Sequence, residues 1–371
     1  MAPILNIMKQ NHNIIPIVFS SDDNYAPYLG VCIHSAIAHM SSSHQYIIYI
    51  LDGGISPRHK AMISSLTEKH IQIKFIAISE YLRKYNITQF PLTLHFTVAT
   101  YYRFFLPEIF PALDKLIYLD CDTIVLRDLA DLFRTDISHY YLAATRDLEI
   151  TRACNTLPAG HANYYLKILK MDDYTNYIQA GCMLCNLREM RKNNLTQKLF
   201  EKLNEIKTPR FVDQCIINAV CEHHIRFLEN QWNYTWHLPF WDKDYDKHLP
   251  EPFRTMYLKA QDDPYIVHFT GQGVKPWLRP DWSYSHLFWQ YARETPFYEE
   301  ILYQNISALP AHNTNSKQLL QQLANRHKIS LQYYRCKILS KITWGKKRQH
   351  YKQKRDALHK QVRQIRNFLK Q

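Results

Sequence analysis

Two aspartates separated by one residue, Asp120 and Asp122, follow the apolar run at 116–119. In an extended segment, side chains two residues apart project to the same side, so both carboxylates can bind one cation. Carboxylate oxygens suit Mg²⁺ and Mn²⁺, which keep coordination positions open for phosphate oxygens. Two solvated loop acids are the alternative interpretation, because an Asp-x-Asp pattern is common by chance.

A histidine much later in the chain is a candidate third ligand. His268 lies near the end of the apolar run 265–269, and an imidazole beside two carboxylates would favour Mn²⁺ over Mg²⁺. A structural histidine at a strand end is the more common case. Lys275 follows in a glycine-containing loop, where it could neutralise a phosphate or simply be solvated.

Other candidate residues have competing structural roles. Asp213 and Gln214 precede an apolar helical run, so Asp213 is either a helix N-cap or a site residue. Arg103 lies among aromatic residues and is either paired internally or directed at a ligand. Cys182 and Cys185 have no second cysteine pair at zinc-like spacing, which favours buried thiols in a strand over a redox or zinc site.

Short apolar runs that alternate with helical patterns must position these residues. Strands are predicted at 14–19, 47–51, 71–78, 116–119 and 265–269, and helices from about Tyr28 and over 57–69. This alternation is typical of an α/β sheet with mostly parallel strands, in which binding residues collect at the carboxyl ends of strands. The acidic residues after the first and fourth predicted strands occupy that position. The aromatic stretch 231–245 fits either a sugar-stacking surface or a packed core.

The positive charge of the chain is concentrated at its C-terminus. The net charge is +13, and residues 326–371 contain fifteen Lys and Arg with one acid, so the rest of the chain is close to neutral. Such a segment is attracted to an anionic surface, either phospholipid or RNA. The expected organisation is a catalytic domain at 1–306, a polar linker at 307–318 and a basic segment at 319–371. Helical amphipathic patterns within the basic segment lie at 331–342 and 358–369.

Composition excludes several classes of protein. Hydrophobic residues make up 46% and charged residues 21% of the chain, which argues against disorder. The eight glycines form neither a G-x-G-x-x-G motif nor a P-loop. No run of about 18 apolar residues and no secretory signal is evident. The cysteine pattern fits a reducing compartment, so we expect the cytoplasm.

Six motifs occur in one order between about residues 14 and 290. They are SSDDNY at 20–25, T-x-Y-R-F at 100–104, YLDCDTIV at 118–125, AG-x-x-L-x-NL at 180–187, DQ at 213–214, and HFTG followed by KPW at 268–277. The Asp-x-Asp pair alone is weak, but the ordered set is specific. Together the motifs resemble glycosyltransferase family 8, and most closely the bacterial lipopolysaccharide and lipooligosaccharide α-galactosyl- and α-glucosyltransferases.

This resemblance implies an α/β GT-A fold and retaining transfer of galactose or glucose from a UDP-sugar, with Mn²⁺ preferred and Mg²⁺ as the alternative. The residues that match the metal ligands are Asp120, Asp122 and His268. The residues that match the nucleotide and diphosphate contacts are Ser20, Asp22, Asn24, Tyr25, Asp120, Cys121, Gly271 and Lys275, with Tyr25 expected to stack on uracil. The catalytic candidates around the donor sugar and acceptor are Arg103, Asp147, Asp213 and Gln214.

Two departures from the family pattern concern the site. Gln179 stands where the family usually has Asn, and the spacing from His268 to Lys275 is one residue longer than is common. The sequence leaves open whether Gln214 acts as a covalent nucleophile or the acceptor attacks from the face of the leaving group.

The expected partners follow from the same resemblance. The acceptor is expected to be a lipid-linked, lipopolysaccharide-type glycan. The basic segment would then hold the protein on anionic lipid at the inner face of the cytoplasmic membrane, and no nucleic-acid partner is expected. The alternatives are a protein or polysaccharide primer as acceptor, and a non-catalytic RNA-binding protein.

Overall fold

The structure is a computed structural model that describes residues 14–84, 98–158, 160–236, 244–271, 275–305 and 345–368, together with 332, 336 and 339. The chain divides into two compact units, Met1–Ile301 and Leu302–Gln371. The linker expected at 307–318 lies outside the described residues, as does most of the helical pattern at 331–342. The assignment of a catalytic domain and a membrane-associating segment stays a prediction.

Ten strands form two sheets in the described part of the chain. They are β1 (Ile14–Ser21), β2 (Gln45–Asp52), β3 (Ile71–Ala77), β4 (Lys115–Leu119), β5 (Thr123–Val125), β6 (Leu142–Arg146), β7 (Ile178–Asn186), β8 (Ile225–Phe227), β9 (Tyr234–Thr235) and β10 (Ile266–His268). The larger sheet has the order β3-β2-β1-β4-β7-β6-β8, and β7 is antiparallel to both of its neighbours. The strands predicted at 14–19, 47–51, 71–78, 116–119 and 265–269 are confirmed, with small differences in their bounds.

The larger sheet is covered on both faces, which explains its nearly continuous apolar strands. All nine residues of β7 are buried. In β1, Ile17 and Phe19 pack into one core cluster, whereas Val18 packs into another on the opposite face. Strands that are buried on both faces lose the usual alternation of apolar and polar residues, because neither face meets water.

The helices that pack around the sheets are mostly short. They are α1 (Ala26–Ile37), α2 (Pro57–Ser64), α3 (Ser79–Lys84), α4 (Leu106–Ile109), α5 (Leu129–Phe133), α6 (Leu148–Thr156), α7 (Gly160–Asn163), α8 (Leu187–Lys192), α9 (Leu195–Ile206), α10 (Val212–Cys221), α11 (Phe253–Asp262), α12 (Ser285–Ala292) and α13 (Gly345–Phe368). The helix expected from Tyr28 begins at Ala26, with a proline in its first turn. The helix expected over 57–69 ends at Ser64, because the Ser65 and Thr67 hydroxyls bond back to carbonyl oxygens of the last turn.

The smaller sheet places a late segment of the chain beside the end of β4. Its order is β5-β10-β9, with β10 antiparallel to β5 and parallel to β9. In this register His268 lies opposite Thr123. The aromatic residues just before and within this region are buried, which favours the packed-core interpretation for Trp232, Tyr234, Trp236 and Tyr245. Residues 237–243 lie outside the described part.

The second unit contains the long helix α13. It includes the helical pattern predicted at 358–369 except for the last residue, so that helix is confirmed. The side chains at 347–350 and 352–354 are exposed. Within the described ranges, no helix combines the length and the apolar character that crossing a lipid bilayer requires.

Candidate active site

The site lies where two parallel neighbours of the larger sheet end. β1 and β4 run side by side, with Ile17 opposite Ile117, so the residues that follow the two strands meet at one edge. The backbone N–H of Asp120 donates to the Gly181 carbonyl on β7 at 2.8 Å, which extends the pairing of β4 by one residue. This contact holds Asp120 in place, and the turn to β5 then carries Asp122.

Asp120, Asp122 and His268 form a compact group of ligand atoms. One atom from each residue lies within 4.8 Å of the others. His268 Nε2 is 3.1 Å from Asp122 Oδ1 and 3.9 Å from Asp120 Oδ2. Two carboxylates and one imidazole are a donor set that suits Mn²⁺ or another divalent ion of intermediate character. The residues therefore fit a divalent cation.

The space around this group is kept open by a glycine. A Cβ atom added at Gly181 would lie 2.2 Å from His268 Cε1 and 2.7 Å from Asp120 Oδ2. Such separations are far below van der Waals contact, so any side chain here would displace both candidate ligands. Gly181 is therefore required by the close packing of the group.

Asp122 is held ionised by the Lys275 ammonium and by its contact with the His268 imidazole. Burial favours its neutral form, but Lys275 and His268 hold the pKa of the Asp122 carboxyl well below its usual range. The Lys275 ammonium bonds to Asp122 and donates to the Phe269 carbonyl at 2.7 Å. A buried lysine fixed beside the carboxylates places a second positive charge next to the cation position, where a diphosphate would need it.

Arg103 joins the acidic group to a second buried carboxylate. Its guanidinium donates to Asp120 Oδ1 at 2.9 Å and to the Ala180 carbonyl at 2.6 Å, and lies 2.9 Å from Asp213 Oδ2. Burial raises the pKa of Asp213 to about 6, against the opposing effects of Arg103 and Thr100. Helix α10 begins at Val212, so Asp213 is not its N-cap, and that structural interpretation is wrong.

Gln214 is held by hydrogen bonds at both ends of its amide. Its Oε1 accepts from the Ala180 N–H at 3.0 Å, and its Nε2 donates to Asp147 Oδ2 at 3.1 Å. Asp147 is the N-cap of α6, and its side chain accepts from the backbone N–H groups of Glu149 and Ile150. Burial, reinforced by the Glu149 charge, raises the pKa of Asp147 to about 6.

Two adjoining cavities meet at these residues. The larger has a volume of about 390 Å³ and the smaller about 140 Å³. The residues that line both are Thr100, Arg103, Asp120, Asp122 and Lys275. The larger cavity is also lined by Asp147, Gln179, Asp213, Gln214, His268 and Gly271. The smaller is also lined by Ser20, Ser21, Asp22, Tyr25, Tyr118 and Cys121.

The structure thus brings together all but one of the residues expected at the site. Asn24 is exposed and lines neither cavity as described. The Thr100 hydroxyl donates to Asp213, a role that the T-x-Y-R-F motif alone does not indicate. Asn233 is a further residue of the site, because it contacts His268 Nδ1. Nothing in its local sequence indicates this contact, because the packing of β9 against β10 creates it.

The comparisons with known proteins agree on one family. Residues 16–281 match glycosyl transferase family 8. General stress protein A of Bacillus subtilis is 30% identical over 270 residues, which are 71% of this chain and 87% of that protein. The lipopolysaccharide 1,2-glucosyltransferase of Escherichia coli is 26% identical over 71% of this chain and 72% of its own length.

Solved structures show the same architecture. The bifunctional glycosyltransferase WbbM matches 80% of this chain with a TM-score of 0.70 and 27% identity, and this chain spans about half (52%) of that one. The galactosyltransferase LgtC, solved with donor and acceptor sugar analogues, matches 76% of this chain and 96% of its own with a TM-score of 0.62 and 25% identity. The expected GT-A fold is confirmed. By fold and by sequence, the chain belongs to glycosyltransferase family 8, which indicates a hexosyltransferase.

Proposed function

We propose that this protein transfers galactose or glucose from a UDP-sugar to a glycan acceptor, with retention of configuration and with Mn²⁺ as the preferred ion. The observation that carries the proposal is that Asp120, Asp122 and His268 form one group of ligand atoms, of which Asp120 and Asp122 line both cavities. A nucleotide-sugar has its diphosphate between a nucleoside and a sugar. The nucleoside would occupy the smaller cavity, the diphosphate would lie at the cation group, and the sugar would occupy the larger cavity.

The smaller cavity is the proposed nucleoside site. Ser20, Asp22 and Cys121 line it at the ends of β1 and β4, and Tyr25 offers an aromatic ring. Burial and the nearby Asp122 charge raise the pKa of Tyr25, which keeps the phenol neutral. A neutral ring at this position suits stacking on uracil. Asn24, being exposed, would act at most at the mouth of the site.

The diphosphate would lie between Asp122 and Lys275. When bound, a divalent ion would neutralise the diphosphate oxygens and stabilise the charge that develops as the sugar leaves. Lys275 is already buried against Asp122, so its ammonium needs little reorganisation to donate to a phosphate oxygen. Gly271 lines the same wall and lets the backbone approach the ligand closely.

The larger cavity is the proposed sugar and acceptor site. Arg103 is oriented by two carboxylates and by the carbonyl oxygens of Thr100 and Ala180, so its remaining surface can face the donor sugar. Asp147 fixes the amide of Gln214, and both residues line the larger cavity. Their proposed role is to position the anomeric carbon and the acceptor hydroxyl, where exact placement contributes most of the rate.

The proposed acceptor is a lipopolysaccharide-type glycan on a lipid carrier. Support comes from the Escherichia coli relative, which is named as a lipopolysaccharide glucosyltransferase. The basic C-terminal segment supports a peripheral membrane location, because Lys and Arg beside an anionic bilayer each contribute about 1 kcal/mol of attraction. A lipid-linked acceptor and a basic C-terminal segment are both consistent with a location at the inner face of the cytoplasmic membrane.

The test is release of UDP from a panel of UDP-sugars, with Mn²⁺ or with EDTA, by the wild type and Asp122→Ala. Slow hydrolysis of the donor requires no acceptor, so the unknown acceptor does not limit the assay. Asp114→Ala is the matched control, because the Asp114 side chain is exposed. Within the described residues its one ion pair is with Arg191, at 3.5 Å. We expect Mn²⁺-dependent turnover of one sugar that is lost in Asp122→Ala and retained in the control.

Two results would contradict the proposal. Turnover that persists in EDTA and in Asp122→Ala would remove the cation group from the reaction. Absence of turnover together with absence of Mn²⁺-dependent UDP binding would show that the fold serves another purpose.

A further inference from the structure

A chain of buried polar side chains runs from the cation group to the wall of the larger cavity. It consists of His268, Asn233 and Gln179, which are 2%, 1% and 9% exposed. His268 Nδ1 lies 2.9 Å from Asn233 Oδ1, and Asn233 Nδ2 donates to Gln179 Oε1 at 2.7 Å. Burying polar side chains this deeply costs free energy unless they are hydrogen-bonded. These three side chains therefore indicate a role other than packing.

The direction of each hydrogen bond follows from one backbone group. The N–H of Gly181 in β7 donates to Gln179 at 2.6 Å, so the atom that it meets must be the amide oxygen. Asn233 must then present its NH₂ group to the same oxygen and its own oxygen to His268. Since an amide oxygen only accepts, the imidazole carries a hydrogen at Nδ1.

This arrangement defines the metal-binding atom of His268. With Nδ1 occupied by its hydrogen bond, Nε2 is turned toward Asp122 and Asp120. Histidine ligands commonly donate their other ring N–H to a fixed acceptor, which sets the ring orientation and the tautomer. In this protein the acceptor for the Nδ1–H group of His268 is Asn233 Oδ1.

Gln179, at the other end of this series of polar side chains, lies at the larger cavity. Gln179 lines the larger cavity together with Gln214 and Asp213. Its Oε1 is fully used by Gly181 and Asn233, and its Nε2 has no hydrogen-bond partner among the described residues. That NH₂ group is therefore available to a hydroxyl of a bound sugar.

We propose that Asn233 is a positioning residue of the cation site and that Gln179 orients Asn233. The proposal rests on the divalent-cation part of the proposed function. It gives Gln179 a role in the cation site through its hydrogen bond to Asn233.

The test measures Mn²⁺ binding directly, in the presence of UDP and without a sugar. Isothermal calorimetry gives the affinity, and pulsed electron paramagnetic resonance detects the coupling of Mn²⁺ to a ligating ¹⁴N nucleus. The variants are Asn233→Leu, which removes both hydrogen bonds, and Asn233→Asp, which keeps an acceptor for His268. Asn230→Leu is the matched control, because Asn230 lies in the same turn, is buried, and bonds to the Arg146 carbonyl instead.

We expect Asn233→Leu to lower Mn²⁺ affinity by about 10- to 100-fold and to weaken the ¹⁴N coupling. Asn233→Asp keeps the acceptor for His268 but loses the donor to Gln179, so it should retain the ¹⁴N coupling and lose no more Mn²⁺ affinity than Gln179→Leu, about 10-fold. Asn230→Leu should match the wild type in both readouts, whatever its effect on stability. Wild-type affinity and coupling in folded Asn233→Leu would overturn the proposal.

A second variant decides the matter if Asn233→Leu does not fold. Gln179→Leu removes the oxygen that orients Asn233 without touching His268, and should lower Mn²⁺ affinity by about 10-fold. Unchanged affinity there would overturn the proposal. Failure of the proposed function is a different result: the wild type itself would then show no ¹⁴N coupling that His268→Ala abolishes.

Discussion

Replacing Gly181 by alanine tests the geometry of the cation group with a single methyl. The added Cβ would lie 2.2 Å from His268 Cε1, 2.7 Å from Asp120 Oδ2 and 2.8 Å from His268 Nδ1. The backbone is not the obstacle, because Gly181 is not among the residues of positive φ. The effect of the substitution is therefore steric.

The size of the displacement can be worked out from these distances. Carbon atoms in contact lie about 3.5 Å apart or more, so the His268 ring must move by roughly 1.3 Å. β7 cannot yield instead, since all nine of its residues are buried. Metal–ligand distances tolerate only about 0.2 Å, so the ring would leave its position as a ligand.

The expected loss is about 10- to 100-fold in Mn²⁺ affinity and about 100-fold in kcat/KM, which corresponds to about 2.7 kcal/mol. Calorimetric titration with Mn²⁺ and the UDP-release assay measure the two quantities. Gly160→Ala is the control, because a Cβ there meets nothing within 4 Å. If folded Gly181→Ala binds Mn²⁺ and turns over donor as the wild type does, the reasoning from close packing is refuted.

Three further changes test separate parts of the structure. Arg103→Met leaves the buried Asp213 without its cation and should destabilise the fold by about 3–5 kcal/mol in urea unfolding; a change below about 1 kcal/mol would contradict this. Because burial raises the pKa of Asp147 to about 6, the folded state binds its proton more tightly than the unfolded state, and the contribution of Asp147 to wild-type stability should fall by up to about 3 kcal/mol as the pH rises from about 4 to 7. Asp147→Asn should lack that contribution. If the unfolding free energies of the wild type and of Asp147→Asn change in parallel with pH, the prediction is contradicted. A chain that ends at 325 should no longer float with anionic liposomes, whereas undiminished flotation would exclude the basic segment as the membrane contact.

Local sequence was sufficient for the strands that lead to the site. The apolar, β-branched runs of β1 to β4 predict strands without ambiguity, and their polar continuations predict the binding edge. The insertion of β7 between β4 and β6 could not be predicted in this way. Its residues, Ile178–Asn186, look like those of any buried strand, and its antiparallel direction depends on pairing between distant segments.

The candidate site likewise contains residues that the sequence could predict and contacts that it could not. Asp120, Asp122 and His268 could be named from spacing and family resemblance, and the structure brings them together. The bonds from Gln214 to Asp147 and from Asn233 to His268 could not, because they join residues 67 and 35 positions apart. Such contacts are set by how helices and sheets pack, and no local pattern records them.

Three consecutive residues of β7 serve most of the site at once. The Gly181 carbonyl binds the backbone of Asp120, the Ala180 carbonyl binds Arg103, the Ala180 N–H binds Gln214, and the Gly181 N–H orients Gln179. The ladder between β6 and β7 is irregular at this point, which leaves these groups available to side chains. A one-residue slip of this strand would therefore misplace Asp120, Arg103, Gln214 and Gln179 together. Correct register of β7 between β4 and β6 is thus a shared requirement of these four residues, which no change at one of them alone would reveal.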